Sequence, residues 1–159
     1  MKILLTGVTG YIGKRLLIQL LEEGHHIVCS VRDQKRFGTQ LFKNNLDQIE
    51  VIENDFLDEK TLDNIPQDLD AAYYLIHSMS SNEGDFEEKE KISAENFRKA
   101  LEKTKVQQVV FLTGIINEEK LSKHLQSRKN VEKSLKSEKY ALTCLRAGII
   151  VGSGSASFE

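Results

Sequence analysis

Three glycines near the amino terminus have a spacing that suits the binding of an anion. Residues 6–13 read TGVTGYIG, and they place Gly7, Gly10 and Gly13 between the apolar runs KILL and KRLLIQLL. In such a turn the first glycine permits a tight bend, the second admits a pyrophosphate close to the backbone, and the third lets a helix pack on a strand. The amides and the dipole of that helix then face the phosphates. The loop predicts dinucleotide binding, and the alternative is a purely structural turn.

The segment CSVRDQKR bears on which dinucleotide would bind. Ser30 and Arg32 come first, and Asp33 follows. An arginine at this place accommodates the 2′-phosphate of NADP because its guanidinium fork matches a phosphate, whereas a carboxylate takes the ribose 2′-hydroxyl of NAD. Arg32 favours NADP as the cofactor, and Asp33 keeps NAD possible. The alternative for Arg32 is an ordinary solvated surface turn.

A third polar segment, ENDFLD, follows another apolar run. Asp55 could accept a hydrogen bond from the amino group of an adenine, while Phe56 and Leu57 cover the ring. The alternative is that Asp55 and Asp58 form a carboxylate cluster at the start of a helix, where negative charge is favoured.

The elements that would position these segments follow from the hydrophobic pattern. Short apolar runs alternate with longer amphipathic ones, which is typical of a parallel sheet covered by helices on both faces. We therefore expect an α/β fold with a doubly wound parallel sheet, the Rossmann fold. The predicted strands span residues 2–6, 26–31, 49–53, 71–77, 108–113 and 141–146, and the predicted helices span 11–23, 35–44, 59–65, 85–103 and 118–137.

Composition narrows the class of protein. The chain has 159 residues and a formal net charge of -2, so it offers no electrostatic reason to expect nucleic acid or a membrane as partner. Cys29 and Cys144 both lie in apolar runs and are expected to be buried free thiols. No residues have metal-ligand spacing. We expect a cytoplasmic protein with a small-molecule substrate, and the sequence leaves the oligomeric state open.

The motifs together resemble the short-chain dehydrogenase/reductase superfamily. The resemblance rests on TGVTGYIG, VRD, ENDFLD, YYLIHSM, Asn96 and VVFLTG, and it points to the extended and atypical branches, which include sugar-nucleotide epimerases and NmrA-like proteins. It implies that the glycine loop binds the pyrophosphate, that Arg32 meets the 2′-phosphate, and that Asp55 and Phe56 meet the adenine. The remaining implied cofactor contacts are Thr9, Tyr11 and Ile12 in the loop, and Ile76, His77 and Ser78 toward the nicotinamide ribose.

The resemblance also bears on the extent of the domain. Members of the bacterial atypical group that the later motifs resemble continue past the segment GIIVGSGSASFE. We therefore expect residues 1–159 to form one NAD(P)-binding domain at the amino-terminal side of a longer protein, truncated before the substrate-binding part. The alternative is a small complete domain.

The superfamily's catalytic pair, a tyrosine with a lysine four residues later, is absent from this chain. In the family the lysine lowers the pKa of the tyrosine, whose phenol exchanges a proton with the substrate. The four tyrosines, Tyr11, Tyr73, Tyr74 and Tyr140, are followed at that distance by Arg15, His77, Ser78 and Cys144.

The helix that would carry the pair reads LSKHLQSRKNVEKSL instead. Arg128 falls on its apolar face, with Glu132 four residues later and His124 at the edge of that face. One interpretation is a structural Arg128–Glu132 ion pair. The other places Arg128 on the ribose or phosphate and His124 as a proton donor. Thr113 is the hydroxyl that LTGI offers after the fifth strand.

Two functions of different class remain. The first is an NADP(H)-dependent oxidoreductase or epimerase-like enzyme of atypical mechanism, acting on a small carbonyl, a quinone or a sugar nucleotide. The second is a non-catalytic NADP(H)-sensing module of the NmrA-like kind, which the missing tyrosine–lysine pair favours. A structural protein with a vestigial loop is a third possibility.

Overall fold

The computed structural model describes residues 1–77, 86–115 and 123–155, without the side chains of residues 39–41, 43, 123 and 124. Its centre is a six-stranded sheet in the order β3-β2-β1-β4-β5-β6, and every neighbouring pair is parallel. The strands are β1 Lys2–Thr6, β2 His26–Val31, β3 Ile49–Glu53, β4 Ala71–Tyr74, β5 Gln108–Gly114 and β6 Ala141–Ala147.

This order confirms the predicted doubly wound sheet. The chain winds outward from β1 through β2 to β3, then returns to the other side of β1 to form β4. The strand order therefore reverses between β1 and β4, which is the point where ligands bind in such sheets.

Three α-helices and three 3₁₀ segments connect the strands of the described chain. The helices are α1 Tyr11–Glu22, α2 Phe86–Leu101 and α3 Lys123–Leu135. The predicted helices at 35–44 and 59–65 are 3₁₀ segments instead, at Gln34–Arg36, Thr39–Gln48 and Glu59–Leu62. Phe42 and Asn45 have non-helical backbone angles inside the second, which explains why no continuous α-helix forms there.

β4 is shorter than predicted because a side chain takes over its pairing. The Thr6 hydroxyl donates to the carbonyl of Tyr73 at 2.9 Å and accepts from the amide of Leu75 at 3.1 Å. The chain thus leaves the ladder after Tyr74, and residues 75–77 lie beyond the strand at its carboxyl end.

The sheet separates two hydrophobic layers. On one face, Leu17 and Leu21 of α1 pack with Ile3 and Leu5 of β1. On the other, Leu4 belongs to the layer that α2 and α3 cover, whose large, fully buried members include Tyr74, Phe97, Phe111, Leu101 and Leu135. Alternate residues of β1 thus face opposite layers, so the strand is apolar throughout.

Both cysteines are free thiols, as predicted from their apolar surroundings. Cys29 is fully buried, and burial raises its pKa to about 12. Cys144 is half-buried, and burial raises the pKa of this thiol as well. A protonated thiol is a poor nucleophile, so neither cysteine has the environment of a catalytic one.

None of the helices within the described ranges has the length and apolar character needed to cross a membrane. The same ranges contain no grouping of three or more His, Cys, Asp or Glu residues that could hold a metal ion.

Candidate functional site

The glycine loop leaves no room for a side chain at its first and third glycines. Gly7 has a φ of +66°, and a Cβ added to it would lie 2.7 Å from the carbonyl oxygen of Leu75. A Cβ on Gly13 would overlap the carbonyl oxygen of Gly7 and come within 2.7 Å of the Cα of Val8. The first glycine is therefore needed for its backbone conformation and the third for the contact between α1 and the loop.

The amino terminus of α1 opens toward the space above the loop. Gly10 is its extended N-cap, and its carbonyl accepts from the amide of Lys14 at 3.0 Å. Among the described residues no side chain caps this terminus, and its first turn carries no acidic residue. The first-turn amides, with the positive end of the helix dipole, are thus available to an anion. Thr9 and Gly10 are exposed at this tip, and Ile12 is half-buried.

Tyr11 is engaged by the carboxyl-terminal segment, residues 148–155. Its phenol oxygen approaches Gly152 so closely that a Cβ there would overlap it. The guanidinium of Arg15 lies 3.7 Å from the centre of the Tyr11 ring and donates to the carbonyl of Ser153 at 2.8 Å. These contacts place the segment beside the first turn of α1.

The arginine and the aspartate that follow β2 differ in their availability to a ligand. Arg32 is exposed, and no hydrogen bond or ion pair within the described residues holds its guanidinium. Asp33 caps its own 3₁₀ turn by accepting from the amides of Lys35 and Arg36 at 3.0 and 3.3 Å. Its second oxygen pairs with the Arg36 side chain at 3.1 Å.

Ser30 lies behind this end rather than at its surface. It is buried, and its hydroxyl donates to the side-chain oxygen of Asn54 at 3.1 Å. Asn54 donates in turn to the carbonyl of Thr61 and to the side chain of Asn64, both at 2.6 Å. This network ties β2 to the loop after β3.

The two acidic residues of the loop after β3 differ in what they contact. Asp55 is exposed, and one of its oxygens accepts from the amide of Leu57 at 2.9 Å. Asp58 caps the following 3₁₀ segment, as the alternative interpretation expected. The Phe56 ring is a correction to the adenine prediction: it is 6% exposed and packs 5.5 Å from the ring of Phe97, so it is part of the core. Leu57, which is 46% exposed, is the apolar side chain available there.

Arg128 is buried at the carboxyl ends of β4 and β5. Its guanidinium donates to the carbonyls of Leu112 at 2.7 Å and Ile76 at 3.3 Å, and lies 4.7 Å from the centre of the Phe111 ring. It also pairs with Glu90 of α2 at 3.4 Å. Burial lowers the pKa of this guanidinium from its ordinary value, and Glu90 opposes that shift.

The predicted Arg128–Glu132 ion pair is wrong. Glu132 pairs instead with Arg146 of β6 at 3.0 Å. The two residues are correctly spaced along α3, but each side chain reaches a different neighbour of the helix. Arg128 points inward, where two strand-end carbonyls and a buried carboxylate accept hydrogen bonds from its guanidinium. These buried interactions are more favourable than a partly exposed ion pair with Glu132.

Glu90 connects Arg128 to His77. The side chain of Glu90 is 3% exposed, and its Oε1 lies 3.1 Å from Nδ1 of His77. Its Oε2 accepts a 2.6 Å hydrogen bond from the hydroxyl of Ser127. Of the other residues predicted here, Ser78 and the His124 side chain lie outside the described part of the chain.

Thr113 is buried, and its hydroxyl has no hydrogen-bond partner among the described groups. It lies at the carboxyl end of β5, one residue after the Leu112 carbonyl that Arg128 binds. A buried hydroxyl without a partner loses the hydrogen bonds that water would supply, so its position suits contact with a ligand.

Sequence reasoning missed Glu90. Its signal was nevertheless present, because Glu90 falls four residues after Phe86 and three before Ser93, a spacing that places the three on one face of a helix. A carboxylate on one apolar helix face and a guanidinium on another are a candidate buried pair.

Comparison with known proteins agrees with this geometry. The sequence profile of a family described as NAD(P)H-binding matches residues 7–152. The chain belongs to this family. The match confirms the expected cofactor class, a nicotinamide dinucleotide, and the glycine cradle with the uncapped end of α1 is the part of the structure that fits such a group. No curated protein matches the sequence significantly.

Solved structures share the fold at low sequence identity. Pen from Bacillus thuringiensis superposes with a TM-score of 0.82 at 19% identity, covering 97% of this chain and 52% of that one. Yeast methylglyoxal/isovaleraldehyde reductase Gre2, complexed with NADPH, superposes with a TM-score of 0.75 at 16% identity. The match covers 92% of this chain and 57% of that one. A short-chain dehydrogenase/reductase superfamily protein from Agrobacterium tumefaciens, with bound NAD, superposes with a TM-score of 0.71 at 16% identity. The match covers 92% of this chain and 48% of that one.

These matches confirm the Rossmann-type fold. The chain spans about half the length of the solved structures it matches.

Proposed function

We propose that this chain is the cofactor-binding part of an NADP(H)-dependent oxidoreductase or epimerase-like enzyme that acts on a small carbonyl, a quinone or a sugar nucleotide. The observation that carries the proposal is the state of the two charged residues at the end of β2. Asp33 is engaged within its own turn, while Arg32 is exposed beside it. A 2′-phosphate would therefore meet an available guanidinium.

The proposal is supported by a candidate contact, among the described residues, for the pyrophosphate, the 2′-phosphate and the adenine of such a cofactor. The glycine loop and the first turn of α1 would hold the pyrophosphate, Arg32 the 2′-phosphate and Asp55 the adenine amino group. Thr113, with its buried hydroxyl, would face the nicotinamide side. A bound nicotinamide supplies a hydride. The protein must therefore bind and orient the cofactor and the substrate, and it must transfer the proton.

The choice of a carbonyl follows from the same chemistry. A hydride acceptor needs a polarised double bond and a proton for its oxygen. Gre2, whose fold this chain shares, is described as a methylglyoxal and isovaleraldehyde reductase. Methylglyoxal and 1,4-benzoquinone are therefore suitable first probes of an aldehyde and a quinone.

A second candidate is a sensor that binds NADP(H) without turnover, as in NmrA-like proteins. It is favoured by the absence of the tyrosine–lysine pair and by the burial of Arg128, which occupies its donors on Leu112, Ile76 and Glu90. A guanidinium held in this way is a structural group rather than a free ligand for the ribose.

The cofactor proposal is tested by calorimetric titration of the wild-type chain and two variants with NADPH and NADH. Arg32→Ala should weaken NADPH binding by about tenfold to a hundredfold, since a charge-assisted hydrogen bond contributes about 1.5–3 kcal/mol. It should leave NADH binding unchanged. The matched control is Lys35→Ala, an exposed basic neighbour whose loss should change neither affinity beyond about twofold.

Equal binding of both cofactors by the wild type, with no effect of Arg32→Ala, would contradict the NADP preference. Binding of neither would contradict the proposed function. The enzyme and the sensor are separated by following the absorbance of NADPH with methylglyoxal and 1,4-benzoquinone. Turnover with either probe would exclude the sensor.

A further inference from the structure

We infer that the α1 side of β5 and β6 is a docking surface for an amphipathic helix from a further part of the same protein. We call this surface the open face, and its large apolar side chains are Val110, Leu112 and Leu145. The inference rests on one part of the proposed function, namely that the chain belongs to a longer protein. It does not depend on which cofactor binds.

The register of the strands shows which side chains share the open face. Leu5 of β1, which packs with α1, pairs with Tyr73 of β4, and Tyr73 pairs with Val110 of β5. Leu112 follows Val110 by two residues and pairs with Leu145 of β6. Side chains of a strand alternate between the two faces of its sheet, and paired residues point the same way. All five residues therefore lie on the α1 side.

The hydrophobic layer beneath α1 does not reach the open face. It extends across the sheet as far as β4, where Tyr73 is only partly buried against it. Among the described residues, neither hydrophobic layer includes Val110, Leu112 or Leu145. Leu145 is 51% exposed, whereas Phe111, on the other side of β5, is fully buried. One side of β5 is thus covered and the other is not.

The apolar sequence of β5 is that of a strand covered on both sides. Its central residues read VVFL, so apolar side chains point to the open face as well as to the layer beneath α2 and α3. Parallel sheets are normally buried on both faces, and this is why their strands are apolar throughout. The sequence of β5 therefore indicates that an apolar surface packs on the open face.

The open face carries no charge, which defines the kind of partner that fits it. Arg146 is the one charged residue in β5 and β6, and it points to the opposite side, where it pairs with Glu132 of α3 at 3.0 Å. The polar groups of Gln108 and Thr143 bind each other, with Nε2 2.8 Å from Oγ1. A helix with leucine, isoleucine or valine on one side and polar residues on the other suits such a surface.

The path of the chain after β6 favours an occupant from the same protein. Residues 152–155 form a closed turn, in which the amide of Ser155 donates to the carbonyl of Gly152 at 2.9 Å. Arg15 of α1 holds this turn through the Ser153 carbonyl at 2.8 Å, and Ser155 is buried. The turn therefore lies beside α1, the helix that covers the same side of the sheet, and a helix that follows it along the chain is within reach of the open face.

Size also favours a helix of the same protein over a second copy of the chain. A stable interface between proteins buries about 800 Å² on each partner. The open face offers one exposed leucine with two half-buried neighbours, Val110 and Leu112, which is too little for such an interface. The solved structures that share the fold are long enough to supply a helix, since this chain spans about half their length.

The first test is photo-crosslinking of the protein at the full length that its gene encodes. Leu145 is replaced by p-benzoylphenylalanine, and the crosslinked peptides are identified by mass spectrometry. The expected crosslink joins position 145 to a peptide from beyond residue 159 of the same molecule. The matched control is Leu46, which is also 51% exposed but precedes β3, at the opposite edge of the sheet. The same substitution at Leu46 should give no such crosslink.

The second test compares Leu145→Lys with Leu46→Lys in the same full-length protein by thermal unfolding. Leu145→Lys should lower Tm by about 5–10 °C, because it places a charge without a partner beneath the docked helix. Leu46→Lys should lower Tm by less than about 2 °C, since this side chain stays in water.

Four outcomes would overturn the docking surface. They are an intact protein of 18.1 kDa that ends at residue 159, a crosslink from position 145 between two molecules, no crosslink from that position, and an equally small loss of Tm in both lysine variants. Calorimetry with NADPH and NADH separates this inference from the cofactor proposal. If neither cofactor binds but the expected crosslink forms, the proposed function fails and the docking surface stands.

Discussion

At the scale of single residues, Gly13 is the position where one added methyl group should do the most damage to the cofactor loop. We expect Gly13→Ala to lower the free energy of unfolding by about 1–3 kcal/mol, since its Cβ would overlap the Gly7 carbonyl and force α1 away from the loop. NADPH affinity should fall at least about tenfold. Urea unfolding and calorimetry measure the two effects.

Gly38→Ala is the matched control, because a Cβ at Gly38 would meet nothing within 4 Å. It should change neither stability nor affinity measurably. Equal effects of the two substitutions would contradict the role assigned to the packing of Gly13.

The roles of site residues were predictable from the sequence where they depend only on local chemistry. The loop glycines and the basic residue at the end of β2 could be read directly, because a tight turn needs glycine and a phosphate needs a cation. The use of Asp33 was not predictable. Its carboxylate could serve a ribose or its own turn, and the conformation of the 3₁₀ segment decides between them.

At the scale of elements, Arg128 is the group that anchors α3 to the ends of β4 and β5. Arg128→Ala should lower the free energy of unfolding by about 3–5 kcal/mol, because it leaves the Glu90 carboxylate buried without its cation and two strand-end carbonyls without a donor. Urea unfolding followed by circular dichroism measures the loss.

The other ion pair of α3 provides the control. Arg146→Ala breaks the pair with Glu132, in which the Arg146 side chain is 47% exposed, so it should cost less than about 1 kcal/mol. A similar loss for both variants would contradict the anchoring role of Arg128.

The elements themselves were largely predictable, because their periodicity is a local property. Every predicted strand formed, and α1 begins at its predicted residue, Tyr11. The partner of Arg128 was not predictable, since Glu90 lies 38 positions away along the chain. Only the packing of α2 against α3 brings the two together.

At the scale of the whole molecule, the buried acidic protons set an alkaline limit to stability. Folding raises the pKa of the Cys29 thiol from 9.0 to about 12, so above pH 9 the unfolded chain releases a proton that the folded chain retains. Stability is fully present below pH 9 and should fall above it by about 1.4 kcal/mol per pH unit for this group. Burial raises the pKa of Tyr74 and Tyr140 too, which steepens the fall above pH 10.

Cys29→Ala should therefore flatten the decline between pH 9 and 10, measured as the free energy of urea unfolding against pH. Its loss of packing is a constant offset that does not change with pH. Cys144→Ala is the control, since this thiol is only half-buried and should change the slope less. An unchanged slope in Cys29→Ala would contradict the assignment.

The sequence by itself determined the cofactor class and the order of strands and helices. Glycine spacing and hydrophobic periodicity depend on residues close together along the chain, and the steric requirements that they reflect are independent of tertiary contacts. Tertiary structure decided which charged groups are available. Phe56 is buried in the core, Arg128 pairs with Glu90, and His77 lies against the same buried carboxylate. Burial and pairing of this kind are set by contacts between distant parts of the chain.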